Sequence, residues 1–229
     1  MTNEYALQFK SSRYMDSGGQ SISRCLVYEP FHVEVVVENL FRKQTVTNLI
    51  RIALYKDVYH GLDERIKEFE RWVTVPPLET ERLVVSFMPI HESDYYYTIH
   101  INDKMVKTKM YPCRLSVSRK GNNLDLDEPP SAVSAGSTIV FTGKLVNATT
   151  GEGIDKARIH IHHIDRSGNK FMASGTTKED GAFNIEWIAK KLDALHYSGE
   201  IYAKFEGDDI YKPSRSNQFT ISVVHEPIK

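Results

Sequence analysis

The residues in this chain best suited to chemistry are two histidines one residue apart, in Arg158-Ile-His-Ile-His-His163. The segment alternates as a strand does, which puts His160 and His162 on one outward face about 7 Å apart. Two imidazoles at that spacing can share Zn²⁺ or Cu²⁺. A firm site needs a third donor, such as His196 or an acid brought in by the fold. A solvated polar face is the plainer reading of the same pattern. His163 falls on the inward side, as a hydrogen-bonded core residue.

Asp125-Leu-Asp-Glu128 gathers three carboxylates beside Pro129, a donor type suited to Ca²⁺. It lacks the spacing of an EF-hand loop, so it reads as a soluble acidic linker. Catalytic signatures are missing: no Gly-x-Ser-x-Gly, no phosphate-cradling Gly-Lys-Ser/Thr loop, no His-Glu-x-x-His and no Cys-x-x-Cys. A Ser–His–Asp triad assembles from distant segments and leaves no local trace, but nothing here favours one. The sequon Asn147-Ala-Thr149 matters only in an exported protein. The chain is therefore expected not to be an enzyme and to need no cofactor.

Aromatic residues are the stronger surface signal. Tyr95-Tyr96-Tyr97 must send side chains to both faces of its strand, so at least one is expected outside the core unless neighbouring loops cover it. Tyr55, Tyr59 and Trp72 are placed to join it. Exposed Tyr and Trp give contact area at low entropic cost. Tyr95, Tyr96, Tyr97 and Trp72 are thus the candidate binding residues.

The elements that position these groups are strands. Phe31–Glu38, Asn48–Tyr55, Leu83–Phe87, Tyr95–Ile101 and Arg114–Val117 alternate with period two, as half-buried antiparallel strands do. Leu62–Arg71 fits either two helical turns or the return arm of a hairpin turning at His60-Gly61. The hairpin is preferred, because strands flank it closely. Arg119–Pro130 carries Gly, Asn, acids and a Pro pair that interrupt a ladder. Further alternating runs follow: Thr138–Val146, Ala157–His163, Phe171–Thr176, Ala182–Trp187, Gly199–Phe205 and Phe219–Val223. The expected fold is all-β: two antiparallel β-sandwich domains in tandem, at 1–120 and 133–229, with a Pro/acidic linker at 121–132. No short tandem repeat is evident.

With 229 residues the chain has room for two sandwiches of roughly 100 residues each. Its 41% hydrophobic and 26% charged residues suit a folded globular protein. The formal net charge of −1 provides no field to gather nucleic acid, and no apolar run is long enough to span a bilayer. The first thirty residues lack the apolar block of a secretory signal. That suits a cytoplasmic protein if Met1 is the native start. Cys25 and Cys113 bracket the first domain, open to a disulfide or to two unpaired core thiols.

Residues from about Ser134 to Val224 resemble the bacterial-type and archaeal Ig-like repeats of cell-surface and adhesive proteins. The residues that carry this are Gly143-Lys-Leu-Val, Thr150-Gly-Glu-Gly153, Ile154-Asp-Lys-Ala157, Thr176-Thr-Lys-Glu-Asp-Gly-Ala-Phe183 and Phe205-Glu-Gly-Asp-Asp-Ile-Tyr211 with Ser214 and Ser216. Asp180-Gly181 is a strong hairpin pair, and Gly207-Asp208-Asp209 supplies another turn from which Tyr211 folds back. The first domain more distantly resembles adhesion-type (CARDB-like) sandwich modules, through Val35-Val-Val-Glu-Asn39, Val75-Pro-Pro through Phe87, and Asp94–Asn102. Leu62–Arg71 departs from that pattern, being longer and more charged.

The resemblance implies an immunoglobulin-like second domain and a surface or extracellular setting. The expected function is a non-enzymatic binding or structural module. It would contact a protein or glycan through sheet edges and loops, or pair with its own copy through edge strands. The alternative is an accessory or metal-handling protein using His160 and His162.

Overall fold

The computed structural model describes residues 7–58, 62–108, 114–165, 168–189 and 196–224, without the side chains of residues 108, 165, 196 and 197. Among the described residues there are strands and no helix, so the chain is all-β, and no helix is long and apolar enough to cross a membrane. It divides into two compact units, 1–119 and 120–229.

Unit 1 runs β1 (Leu7–Met15), β2 (Arg24–Leu26), β3 (Phe31–Asn39), β4 (Val46–Lys56), β5 (Glu64–Val75), β6 (Thr80–Phe87), β7 (Ser93–Ile101), β8 (Lys104–Thr108) and β9 (Leu115–Ser118). One sheet has the order β1-β3-β6; the other is β2-β9-β7-β4-β5, with β8 paired to β7. Alternation decides which side chains meet. Val33, Val35 and Val37 from β3 face Ile50, Ile52 and Leu54 from β4, all of them buried. Aromatic rings lock the two layers: Tyr14 meets Tyr97 edge-on at 5.0 Å, and Phe31 meets Tyr95 at 6.3 Å.

The charged segment at 62–71 is a strand, as the hairpin reading requires. Ile50, Ile52 and Leu54 pair with Arg71, Phe69 and Lys67. Pairing with β4 satisfies its backbone, whereas a helix would have had only Leu62, Ile66 and Phe69 to bury. The expected turn at His60-Gly61 lies outside the described residues.

Two polar residues hold unit 1 together. Asn39, fully buried, donates from Nδ2 to the carbonyls of Gln44, Val75 and Pro76 at 2.8, 2.9 and 3.0 Å, and its Oδ1 accepts from the Phe41 amide. It thereby joins the β3–β4 and β5–β6 connections. Glu34 on β3 takes Arg13 of β1 at 2.7 Å and Arg82 of β6 on its other oxygen. The Arg13 hydrogen bond, helped by Arg82 and opposed by burial, holds its carboxyl below the usual value. Cys25 carries a free thiol, pushed up to about 11 by burial and then by Glu29. It is protonated and weakly nucleophilic at neutral pH. Cys113 lies outside the described residues.

Unit 2 comprises β10 (Asn122–Leu126), β11 (Ala132–Ser134), β12 (Thr138–Asn147), β13 (Arg158–Asp165), β14 (Gly168–Thr176), β15 (Ala182–Ile188), β16 (His196–Phe205), β17 (Ser214–Arg215) and β18 (Phe219–Val224). Its sheets are β10-β12-β15 and β11-β18-β16-β13-β14, with β17 paired to β16. Strand for strand this is the order of unit 1. Each six-stranded sheet even has a short parallel strand against its last strand, β2 on β9 and β11 on β18. The chain is a structural tandem without a sequence repeat.

The expected linker at 121–132 is a correction. Asn123-Leu-Asp-Leu126 is itself a period-two run, and Leu124 and Leu126 are buried as β10 pairs with β12. The Asn122 side chain donates to the Lys212 carbonyl at 2.6 Å, and Asn217 Oδ1 accepts the Leu126 amide at 3.2 Å. These bonds tie β10 to the opposite sheet, so the segment belongs to the second sandwich.

The turn motifs have the structural roles their composition suggested. Gly181 has φ +82°, and Asp180 Oδ1 accepts the Ala182 amide. Gly153 packs so closely on the Asp180–Gly181 peptide that any Cβ would overlap it. Asp208 Oδ1 accepts the amides of Ile210 and Tyr211, and Tyr211 packs against the core. Ser216 Oγ accepts the Ala203 amide at 2.9 Å.

Gly181→Ala should destabilise unit 2 by about 2–4 kcal/mol, from left-handed backbone plus overlap with Leu145 O and Gly153. Gly151→Ala, also at positive φ but with open space around it, should cost only about 1 kcal/mol. Urea unfolding followed by Trp187 fluorescence measures both; equal losses would rule out the close approach. In unit 1, Glu34 has a folded pKa below its unfolded one, so its contribution is present above the ordinary carboxyl pKa. It is lost as pH falls through the folded value. Glu34→Gln should cost about 1 kcal/mol at pH 7, with the difference from wild type closing towards pH 3 in calorimetric scans.

Candidate functional site

The structure separates the four candidate binding residues. Tyr95 and Tyr97 face inward at 2% and 0% exposure. Tyr97 donates to Ser12 Oγ at 2.7 Å and Tyr95 to the His91 carbonyl at 3.1 Å. Tyr96 faces outward yet is only 7% exposed, because Tyr55 stacks on it at 5.1 Å and its hydroxyl donates to Asp63 at 2.6 Å. Burial and the Asp63 carboxylate push its phenol well above the ordinary value. One tyrosine of the three thus stands on the outward face, but it is covered, the alternative that the sequence left open. β7 is an interior strand of its sheet, flanked by β4 and β9, and its neighbours cover both faces. Trp72, near the end of edge strand β5, is 67% exposed.

A cleft that the sequence reading did not single out lies along the seam between β5 and β6. Each is the last strand of its sheet, β5 bonded only to β4 and β6 only to β3. Two adjoining hollows of about 420 and about 360 Å³ follow the seam. Ile50, Ile52, Leu83 and Phe69 line one, and Leu54, Ile66 and Phe87 line the other. Lys67 and Arg71 point from β5 to this same side, being paired with inward Leu54 and Ile50. Lys67 Nζ sits 4.9 Å from the Phe69 ring centroid. Among the described residues neither cation makes an ion pair.

Topological matching shows what is particular about this seam. Aligned on the residues that end β7 and β16, Ile101 and Phe205, the strand registers bring Arg71 to the position of Gly175. In unit 2 a Cβ at Gly175 would meet Ile185 Cγ1 at 2.8 Å. There β14 and β15 approach closely, whereas in unit 1 Arg71 lines a hollow and β5 touches β6 through Phe69 and Phe87, whose rings meet edge-on at 5.1 Å.

On β13, His160 and His162 share one outward face, as the alternation requires, with ring centroids 6.1 Å apart. The acid that joins them is Glu206, just beyond β16. One ligand atom from each of the three lies within 4.8 Å of the others. β16 pairs with β13 opposite His160 and His162, which brings Glu206 beside them. No spacing in the sequence could have identified it, since 44 or more residues separate the partners on the chain and two strands deliver them (206 against 160 and 162). The side chain of His196, named earlier as a possible third donor, is not described. His163 is buried against Gly199, as expected of a core histidine.

Both ring nitrogens of His162 are buried and complete no hydrogen bond. Its ring stacks on Tyr202 at 5.3 Å and meets Phe171 edge-on at 6.1 Å. Burial first, then His160 and Lys204, lower its pKa, opposed by the nearby Asn169 amide, which falls short of hydrogen-bond geometry to either nitrogen. The imidazole is thus neutral, with its lone pair available, at neutral pH. Lys204 reaches Glu206 Oε1 at 2.8 Å, and this contact, ahead of His160 and His162, lowers the Glu206 carboxyl.

No family model matches the chain, and no curated protein matches it. Among solved structures it is similar to a red sea bream transglutaminase at 11% identity and TM-score 0.42, over 97% of this chain and 32% of that one. It is also similar to a β-glucosidase from Listeria innocua at 11% identity and TM-score 0.35, over 49% of this chain and 16% of that one. The chain therefore spans about a third of the first protein and about a sixth of the second.

Proposed function

We propose that the protein is a non-enzymatic binding module whose unit 1 accepts an extended segment of a partner protein in the β5–β6 seam. The observation that carries this is the pair of hollows along the seam: an apolar floor on either side of the Phe69–Phe87 ring contact, lined by Lys67 and Arg71, which make no ion pair among the described residues. Edge strands carry free backbone donors and acceptors that a third strand can pair with. Inward charges on such an edge deter indiscriminate pairing, so the two cations also select the partner. A strand laid against β5 would face Lys67, Phe69 and Arg71 with its own alternate residues. Cross-strand complementarity then calls for acid, apolar and acid at i, i+2 and i+4. The likeness of residues 134–224 to Ig-like repeats of adhesive proteins points to the same class of function.

The test is a peptide titration followed by isoleucine methyl NMR. Thr-Glu-Thr-Val-Thr-Glu-Thr should perturb Ile50 and Ile52, more weakly at high salt. The lysine counterpart Thr-Lys-Thr-Val-Thr-Lys-Thr should not. The double variant Lys67→Glu/Arg71→Glu should weaken the acidic peptide by about tenfold or more and accept the basic one. Trp72→Ala, on the opposite face of β5, should change nothing. Equal response to both peptides, or loss of binding in Trp72→Ala, would refute the seam as the site and shift attention to a protein or glycan contact at Trp72.

A further inference from the structure

We propose that His160, His162 and Glu206 form a binding site for a divalent transition-metal ion, of the Zn²⁺ type, on the outer face of the six-stranded sheet of unit 2. Two imidazoles and one carboxylate are the donors that Zn²⁺ and its first-row neighbours take. In a tetrahedral Zn²⁺ site with bonds of about 2.1 Å, donor atoms stand about 3.4 Å apart. The three donors here are already within 4.8 Å of one another, so rotamer adjustment of surface side chains closes the difference.

A second observation is independent of that spacing. The nitrogens of His162 are shielded from water and complete no hydrogen bond in the protein. Buried polar atoms are ordinarily satisfied, and an orphaned pair calls for a further partner or a functional role. A metal bond satisfies one of them. The β13–β14 ladder is also irregular between Ile161 and His162, which sets Phe171 opposite His162. Such bulges re-aim side chains beside functional sites. Phe171 and Tyr202 then hold the His162 ring between them.

Unit 1 shows that the fold does not need these histidines. The same alignment puts Arg51 where His160 stands and Ala53 where His162 stands. Arg51 is bound by Glu70 at 2.6 Å and Asp103 at 2.9 Å, a closed ion-pair network. Unit 2 replaces that network with two imidazoles and an acid whose pair with Lys204 uses one of its two oxygens. Three protein ligands leave at least one coordination position for water or for a donor on another molecule. The site is therefore of the open rather than the closed structural kind.

The experiment uses the full chain without a histidine tag, stripped by chelator and titrated with ZnCl₂ by calorimetry and with Co²⁺ by visible absorption. One equivalent should bind, with Co²⁺ ligand-field bands, and Zn²⁺ should raise the unfolding midpoint. His160→Ala, His162→Ala and Glu206→Gln should each weaken binding by about tenfold or more and abolish the midpoint shift. Far-UV circular dichroism verifies folding. Because Glu206 is exposed, its variant decides the matter should a histidine variant fail to fold. Absence of stoichiometric binding in the wild type, or wild-type affinity in any folded variant of the three, overturns the site. Neither outcome bears on the peptide seam of unit 1.

Discussion

A two-sheet sandwich excludes water by facing the alternate residues of its central strands inward, but every edge strand keeps a row of backbone N–H and C=O groups without partners. How each unit treats those edges governs its remaining features. Where β14 and β15 meet, Gly175 lets Ile185 approach and the seam closes. At the corresponding place in unit 1, Arg71 and Lys67 line two hollows along β5 and β6, and the strands meet through the edge-on rings of Phe69 and Phe87. One topology thus yields two different edges through the size and charge of single side chains.

The tandem also shows how the corresponding outer faces of the two six-stranded sheets diverge. The outer face of β4 is neutralised by its own salt bridges around Arg51, which satisfy it internally. The outer face of β13 bears two histidines, of which His162 has shielded nitrogens without a hydrogen bond, and one carboxylate brought from the end of β16. A closed ion-pair network needs nothing further. The His162 imidazole, by contrast, keeps both ring nitrogens without a hydrogen bond.

Polar residues inside the sandwiches have architectural parts. Asn39 satisfies three carbonyls and one amide at the junction of two connections, a network that only a side-chain amide, both donor and acceptor, can make. The three tyrosines of β7 each place a hydroxyl on a partner, at Ser12, His91 or Asp63. Tyr95 and Tyr97 fill the core and Tyr96 stacks on Tyr55 outside it, and each polar tip stays bonded.

The sequence alone determined the class of fold, because period-two alternation on strands such as Phe31–Glu38 and Thr138–Val146 has one physical interpretation, a half-buried sheet. It determined the turns too, since Asp180-Gly181 and Gly207-Asp208 have conformational requirements few other residues meet. It placed His160 and His162 on one face for the same reason. Only the tertiary structure could decide the rest. Whether Tyr96 is covered depends on Tyr55 and Asp63, which reach it from a neighbouring strand and the segment before β5. Prolines and acids disguised β10 as a linker, although Leu124 and Leu126 had a core to enter. Glu206 joins the histidines, and hollows form along β5 and β6, through strand pairing between segments far apart on the chain. Local periodicity records which face a residue takes but not which neighbour it meets.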